Sequence, residues 1–236
     1  MQNIGFPDPR HAADHGLLAV GGDYRPEVLL TAYAHGIFPW PNRQLPYAWF
    51  SPNPRMVLVP AELHVSRSLR KTLRRGRFRV TFDTAFGEVM RRCAAAPRPG
   101  QDGTWITGEL MASFAELHRL GLAHSVETWA GRRLVGGLYG LGLGAVFCGE
   151  SMFYRETDAS KVAFVTLVRQ LQAWGFELVD CQIHTELVEQ LGAREWDRGD
   201  FLDRLDVAVR RPSRRGRWTA DPALMVSDGS SLPRPI

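Results

Sequence analysis

The sequence predicts a layered α/β or α+β fold, in which a small Pro- and Gly-rich N-terminal domain precedes a larger body. Three observations carry that expectation. Prolines are dense before residue 61, Phe78-Arg79-Val80-Thr81-Phe82 alternates as a half-buried strand does, and a strand–helix–strand unit stands near the end of the chain. The boundary is placed at 61/62, giving domains 1–61 and 62–236.

Within the first segment one helix is expected. Asp23 is suited to cap it, Pro26 fits its first turn and Gly36 supplies its stop. Phe38-Pro39-Trp40-Pro41 and Trp49-Phe50-Ser51-Pro52-Asn53-Pro54-Arg55 follow. Prolines so close together forbid helix and sheet interior, so these read as rigid, extended loops that hold the tryptophans in place. Beyond residue 62 the pattern gives a helix at 64–75, a strand at 78–82 and a helix at 83–95. A further helix at 108–120, capped by Thr107, carries Leu110, Phe114 and Leu117 on one face. Strands at 123–129, 133–139 and 145–148 form a meander, with turns at Gly131 and Gly142/Gly144. Asp158 caps a helix that runs to Trp174 and is stopped by Gly175, and 176–182 is the next strand. The tail 210–217 reads as a solvated basic segment.

Composition narrows the function classes. At 236 residues, 44% hydrophobic and 23% charged, the chain is an ordinary globular protein and not disordered, coiled-coil or collagenous. A chain of this length buries roughly 70% of its unfolded surface, enough for a core without staples. Net charge is +4, yet of the 29 cationic side chains only Lys71 and Lys161 are lysines. Arginine's planar fork suits phosphate and carboxylate, although a GC-rich genome alone also favours Arg codons. Cys93, Cys148 and Cys181 are odd in number and form no C-x-x-C, which argues against a disulfide framework or a Cys-pair zinc site. No H-E-x-x-H is present, so no metal is expected. The first residues show no signal peptide, and Leu134–Gly149, with six glycines, falls short of a membrane helix. A reduced, cytoplasmic, soluble protein is expected.

Four clusters can carry chemistry. Arg67, Arg70, Lys71, Arg74 and Arg75 follow helical spacing, and no acid occurs from 65 to 82. They form either a solvated face or a contact for an anionic backbone. Asp180 and Gln182, two apart on a strand, point to one face, where either a carboxylate and an amide orient an amine or a strand-terminal Asp caps a loop. Glu150 with Ser151 and Met152 follows a Gly-rich strand, as either a ligand site or an ordinary surface turn. Trp105 precedes a capped helix, placed either to stack on a base or to fill core. No G-x-S-x-G accompanies Ser151 and His184, and Gly140–Gly144 is not G-x-G-x-x-G, so neither a nucleophilic triad nor a dinucleotide site is expected.

Taken in order, the motifs are specific. Gly21-Gly22-Asp23, Gly36-Ile37-Phe38-Pro39-Trp40, Trp49-Phe50-Ser51-Pro52, Arg55 and Gly103-Thr104-Trp105-Ile106-Thr107 come first. His124-Ser125-Val126-Glu127, Leu134-Val135-Gly136-Gly137-Leu138-Tyr139-Gly140, Phe147-Cys148-Gly149-Glu150-Ser151-Met152-Phe153, Ala159-Ser160-Lys161 and Asp180-Cys181-Gln182 complete the series. The succession resembles the leucyl/phenylalanyl-tRNA–protein transferase family across residues 16–193.

The resemblance implies a small N-terminal domain followed by a GNAT-like acyltransferase domain. It implies transfer of Leu or Phe, and in some members Met, from aminoacyl-tRNA to an N-terminal Arg or Lys, marking the acceptor for degradation. It also implies no cofactor and a monomer. The residues matching catalytic positions are Asp180, Gln182 and Glu150; Trp40 and Trp105 match the positions that meet the tRNA's terminal adenosine. Phe114, Ser151, Met152, Phe164 and Leu167 would complete the substrate pocket, and the basic helix would meet tRNA phosphates. Two schemes suit these residues equally. In one, Gln182 Oε accepts a hydrogen bond from the attacking amine while Asp180 orients and polarises the amide; in the other, the residues only orient the amine and the tRNA's own hydroxyl relays the proton. Glu150 pairs with the acceptor's basic side chain or with the attacking amine.

Two positions depart from the family pattern. Leu187-Val188 stands where a His-Leu pair is usual, with a histidine moved to 184, and Phe114 stands where the aromatic is often Tyr. An acetyl-CoA enzyme is the main rival, but Arg133-Leu134-Val135-Gly136-Gly137-Leu138 fails the last position of the R/Q-x-x-G-x-G/A pyrophosphate loop. A non-catalytic RNA-binding module would not need the Asp180/Gln182 pair.

Overall fold

The computed structural model describes residues 5–13, 15–97, 103–221 and 223–224. Its class is mixed α+β. Among the described residues two sheets form: a small one in the order β1-β3-β2, from Leu17–Val20, Phe38–Pro39 and Ala48–Phe50, and a large one of seven strands. In the large sheet the order is β10-β4-β9-β8-β7-β6-β5, with β4 at Arg55–Leu58, β5 at Arg79–Phe82, β6 at Ala123–Ala130 and β7 at Arg133–Leu143. The remaining strands are β8 at Val146–Tyr154, β9 at Leu178–Gln182 and β10 at Arg194–Trp196. All its pairings are antiparallel except β8 with β9.

The small sheet corrects the expectation of loops at the prolines. Phe38–Pro39 pairs with β3 on one side only, so Pro39 stands on an edge strand, where a missing N–H leaves no ladder gap. Strand β4, inside the expected N-terminal segment, is hydrogen-bonded into the large sheet between β9 and β10.

Among the described residues these α-helices frame the sheets: α1 at Pro26–Ala34, α2 at Arg67–Arg74, α3 at Phe86–Ala94, α4 at Gly108–Arg119, α5 at Ala159–Ala173, α6 at Glu186–Gln190 and α7 at Arg198–Val209. Thr107 caps α4 as expected, its hydroxyl accepting from the Leu110 N–H at 3.2 Å. The other two expected caps act differently. Asp23 accepts from the Arg25 N–H and side chain and leaves Arg25 as the first flanking residue of α1. Asp158 precedes α5 in a left-handed conformation and accepts from Thr72 Oγ1 at 2.9 Å, tying α2 to the start of α5.

Alternation along β7 divides the core. Tyr139 and Leu141 face α3 and α4 in one hydrophobic cluster, while Leu138 faces α5 in the other. The glycines of β7 permit this close layering. A Cβ at Gly136 would lie 2.6 Å from that of Ala159, and one at Gly140 would overlap the Cys148 carbonyl oxygen and sit 2.6 Å from the Phe147 ring. Gly142 therefore belongs to the strand, and the β7–β8 turn is made at Gly144 with φ +55°.

The arginines of the tail are exposed as expected, but its backbone is docked. Trp218 is buried and stacks on His124 at 3.6 Å, and its main-chain N–H donates to Asp83 Oδ2 at 2.7 Å. Asp83 also accepts the Ser125 N–H of β6, and its left-handed backbone at φ +53° keeps residue 83 out of α3, which begins at Phe86.

Two glycines test the layering. Gly140→Ala should cost more than about 3 kcal/mol, the scale of overpacking a tight core. Gly87→Ala, on an open face of α3 with nothing within 4 Å of the new methyl, should gain about 0.5–1 kcal/mol. Chemical denaturation of both variants measures the contrast, and equal effects would contradict it.

Candidate active site

Strands β8 and β9 run parallel only where Val146–Cys148 meets Leu178–Asp180. Just beyond, each strand carries one extra residue. Gly140 pairs with Gly149 and Tyr139 with Ser151, so Glu150 bulges from β8; Val57 pairs with Asp180 and Met56 with Gln182, so Cys181 bulges from β9. A bulge bends its strand and re-aims the side chain there. The two strands part, and a cavity of about 370 Å³ opens between their ends.

Its walls are apolar: Leu138, Phe147, Met152, Phe164, Leu167 and Val188. Glu150, Ser151, Gln182 and Thr185 add polar side chains, and Phe38, Trp40 and Trp105 add aromatic lining. Trp40 and Trp105 also line a second hollow of about 490 Å³ with Asn42, Arg43 and Thr104, so the tryptophan pair stands between the two spaces.

A buried ion pair lies behind the polar end. Arg55 Nε and Nη2 donate to the two oxygens of Asp180 at 2.8 and 2.6 Å, and Nη1 donates to the Gly36 carbonyl at 3.0 Å. The side chains are 1% and 2% exposed. The guanidinium lies 4.8 Å from the ring centre of Phe38 and 4.7 Å from that of Phe201. Asp180 Oδ1 also accepts the main-chain N–H of Gln182 at 2.9 Å. This bond holds Gln182 at φ +64°, a conformation that costs a non-glycine residue about 1–3 kcal/mol unless its surroundings fix it.

So held, Gln182 Nε2 donates to Glu150 Oε1 at 2.9 Å, and Tyr33 OH donates to the same oxygen at 2.7 Å. The amide's oxygen is left as an acceptor. Burial raises the Glu150 carboxyl to about 7, against the pull of the hydrogen bonds from Tyr33 and Gln182. Burial likewise raises the Tyr33 hydroxyl and the Cys148 and Cys181 thiols, so Tyr33 stays a donor and neither thiol is a thiolate at neutral pH.

Eight of the expected site residues converge on the cavity: Glu150, Gln182, Trp40, Trp105, Ser151, Met152, Phe164 and Leu167. Asp180 does not line it and meets Gln182 through the main chain, not through the amide as expected. Phe114 is buried away from it, edge-on to Tyr33 and Tyr139. Arg67, Arg70, Lys71, Arg74 and Arg75 are exposed on α2, outside the cavity. At the departing positions, Leu187 and Val188 line the cavity, while His184 pairs on the surface with Glu189 at 3.0 Å.

Neither Tyr33 nor Arg55 is among the expected site residues, although Arg55 stands in the motif series. Arg55 leaves a signal, a cation opening the apolar strand Arg55-Met56-Val57-Leu58; Tyr33 leaves none, because its partner is 117 positions away. Among the described residues no cluster of three or more His, Cys, Asp or Glu could hold a metal ion. Nor, among those residues, is any helix long and apolar enough to cross a membrane.

Comparison with known proteins adds to the geometry. The family profile described as leucyl/phenylalanyl-tRNA protein transferase matches residues 57–206, and that of its N-terminal domain matches 22–53. A protein named leucyl/phenylalanyl-tRNA–protein transferase from Anaeromyxobacter sp. (strain Fw109-5) is 57% identical over 220 residues, 93% of this chain and 94% of that one. Relatives of the same name from Anaeromyxobacter sp. (strain K) and Myxococcus xanthus (strain DK1622) are 60% and 56% identical. They cover 90% and 92% of this chain, and 91% and 94% of their own length. A crystal structure of a functionally unknown conserved protein from Staphylococcus epidermidis aligns at a TM-score of 0.41 with 10% identity, over 61% of this chain and 57% of that one. That likeness is too slight to decide the fold family.

Two measurements probe the site itself. Arg55→Met leaves the Asp180 charge buried without its partner, and denaturant unfolding should show a loss of about 3–5 kcal/mol; a loss under about 1 kcal/mol would contradict the pairing. Between pH 4.5 and about 7 the folded chain keeps a proton on Glu150 that the unfolded chain has released, so this group's contribution to stability falls as pH rises. Glu150→Gln removes that dependence. Its stability relative to the native chain should therefore rise by on the order of 2 kcal/mol across the window; a constant difference would contradict the raised value.

Proposed function

The chain belongs to the leucyl/phenylalanyl-tRNA protein transferase family, and from that premise we propose that its cavity receives the Leu or Phe side chain of an aminoacyl-tRNA for transfer to a protein N-terminus. The acceptor begins with Arg or Lys. The observation that carries this reading is the pairing of Gln182 with Glu150 at the edge of an apolar cavity whose aromatic lining includes Trp40 and Trp105.

The chemistry asks little of the protein. The aminoacyl ester is already activated, so a positioned amine suffices, and positioning alone supplies much of the rate. The acceptor's α-amine nitrogen bonds to the ester carbonyl carbon, the carbon–oxygen bond to the ribose breaks, and the ribose oxygen leaves with a proton. Gln182 Oε1 accepts a hydrogen bond from the attacking amine. Glu150 fixes the amide's orientation by taking its Nε2–H, and with a pKa of about 7 it is matched to receive a proton from an N-terminal ammonium. Asp180 is a positioning residue: it sets the backbone of Gln182 and does not polarise its amide.

The donor is held by complementary parts. The terminal adenosine stacks at Trp40 and Trp105, interactions worth about 1–3 kcal/mol per base. Met152, Phe164 and Leu167 surround the amino-acid side chain, and an apolar pocket separates Leu from Phe only weakly, so both serve. The exposed cations of α2 meet phosphates without reading sequence. The same reading carries a small N-terminal unit, 1–61, that shares strand β4 with a GNAT-like acyltransferase unit, 62–236. It also carries a monomer in the cytoplasm whose product is marked for degradation.

Transfer of radiolabelled Leu or Phe from charged tRNA to a peptide beginning with Arg tests the proposal. Gln182→Ala should lower kcat/KM about a hundredfold, within the range of one positioned acid–base group, and Trp105→Ala should raise KM at least about fivefold, as removal of one stacked ring requires. Absence of transfer by folded protein with competent substrates would overturn it, as would transfer to a peptide beginning with Glu at the same rate.

A further inference from the structure

Beyond the cavity, β8 continues to the end of the sheet. Met152 lines the cavity and lies on the α5 face; Phe153 points to the opposite cluster, and Tyr154 returns to the face of Met152. Two strand residues span about 7 Å, so the Tyr154 ring begins within one nucleotide's reach of the cavity wall. It is 68% exposed, an unusual position for a large aromatic side chain.

The charges around it are lopsided. Glu156 is the carboxylate shared by two guanidiniums, Arg77 at 2.5 Å and Arg133 at 2.7 Å, which joins the segment after α2 to the β6–β7 turn. Asp158 is engaged by Thr72 and lies 3.8 Å from Lys161. Arg132 and Arg155 are exposed and have no acidic partner within 4.0 Å among the described residues. An exposed ring flanked by unneutralised arginines is the chemistry of a groove for single-stranded nucleic acid, where stacking and phosphate binding act together.

Resting on the reading that the donor is a tRNA, we infer that Tyr154, Arg132 and Arg155 form a second RNA-binding surface, bridging the cavity to helix α2. Tyr154 stacks on an unpaired nucleotide close to the reacting end, and the two arginines meet the phosphates that follow it. The Glu156 bridge fixes Arg77 and Arg133 between the β6–β7 turn and the segment after α2.

The test uses two donors with the full chain: intact Phe-tRNA, and phenylalanyl-adenosine, too short to reach this surface. With Arg132→Glu/Arg155→Glu, KM for intact Phe-tRNA should rise at least about tenfold at roughly 100 mM salt, with kcat within about twofold, and the salt dependence of binding should flatten by about 0.7–0.9 in log–log slope for each phosphate no longer neutralised. Tyr154→Ala should raise the same KM at least about fivefold, as removal of one stacking ring requires. Transfer from phenylalanyl-adenosine should match that of the native chain in every variant. An unchanged KM for Phe-tRNA would overturn the inference, and so would an equal drop on both donors, which would place these residues in the cavity or the fold. Failure of the native chain with both donors would defeat the reaction itself, a separate outcome.

Discussion

Arg55 and Asp180 are almost wholly withdrawn from water, and everything the cavity does depends on their being withdrawn together. Each ion alone would lose several kcal/mol of hydration. The structure offsets that loss with two charge-assisted hydrogen bonds between them, one to the Gly36 carbonyl, one from the Gln182 N–H, and the aromatic rings of Phe38 and Phe201 against the guanidinium. The pair joins four parts of the chain: strand β4, the turn after α1, the end of β9 and, through Phe201, helix α7. It also explains why β4 belongs to the large sheet despite its place among the N-terminal prolines. A strand carrying a buried cation must lie beside the strand carrying the matching anion.

From that anchor the geometry of the polar end follows. Asp180 fixes the backbone of Gln182 in a left-handed conformation, the backbone fixes the amide, and the amide meets Glu150, which the β8 bulge has turned into place. The bulges matter as much as the residues they present. Uninterrupted parallel pairing of β8 and β9 would close the sheet and leave no cavity. Two inserted residues, Glu150 and Cys181, end the pairing where the cavity opens.

The local parts of this design are legible in the sequence and the long-range parts are not. Thr107 caps its helix through a bond three residues on, and Gly131 makes its turn within the β6–β7 hairpin. Asp158 reads as a cap too, but its carboxylate is claimed by Thr72, 86 positions earlier, which no local pattern reveals. Phe38–Pro39 and Ala48–Phe50 become strands because each supplies the other with a partner across a proline-bearing edge. Helices α6 and α7 and strand β10 lie beyond what the sequence pattern predicts; β10 exists through its pairing with β4. At the site, motif order locates Glu150, Gln182 and both tryptophans. Simple strand alternation misjudges the relation of Asp180 to Gln182, because a bulge and a positive φ lie between their side chains.

The central claim is that one apolar cavity takes the amino acid while its polar end and its tryptophans take the reacting ester and the adenosine. A crystal structure with a stable amide-linked phenylalanyl-adenosine tests this most directly. The account predicts the phenyl ring among Met152, Phe164 and Leu167, the carbonyl beside Gln182 and the adenine against Trp40 or Trp105. A phenyl ring outside that cavity, or a carbonyl turned away from Gln182 and Glu150, would contradict it.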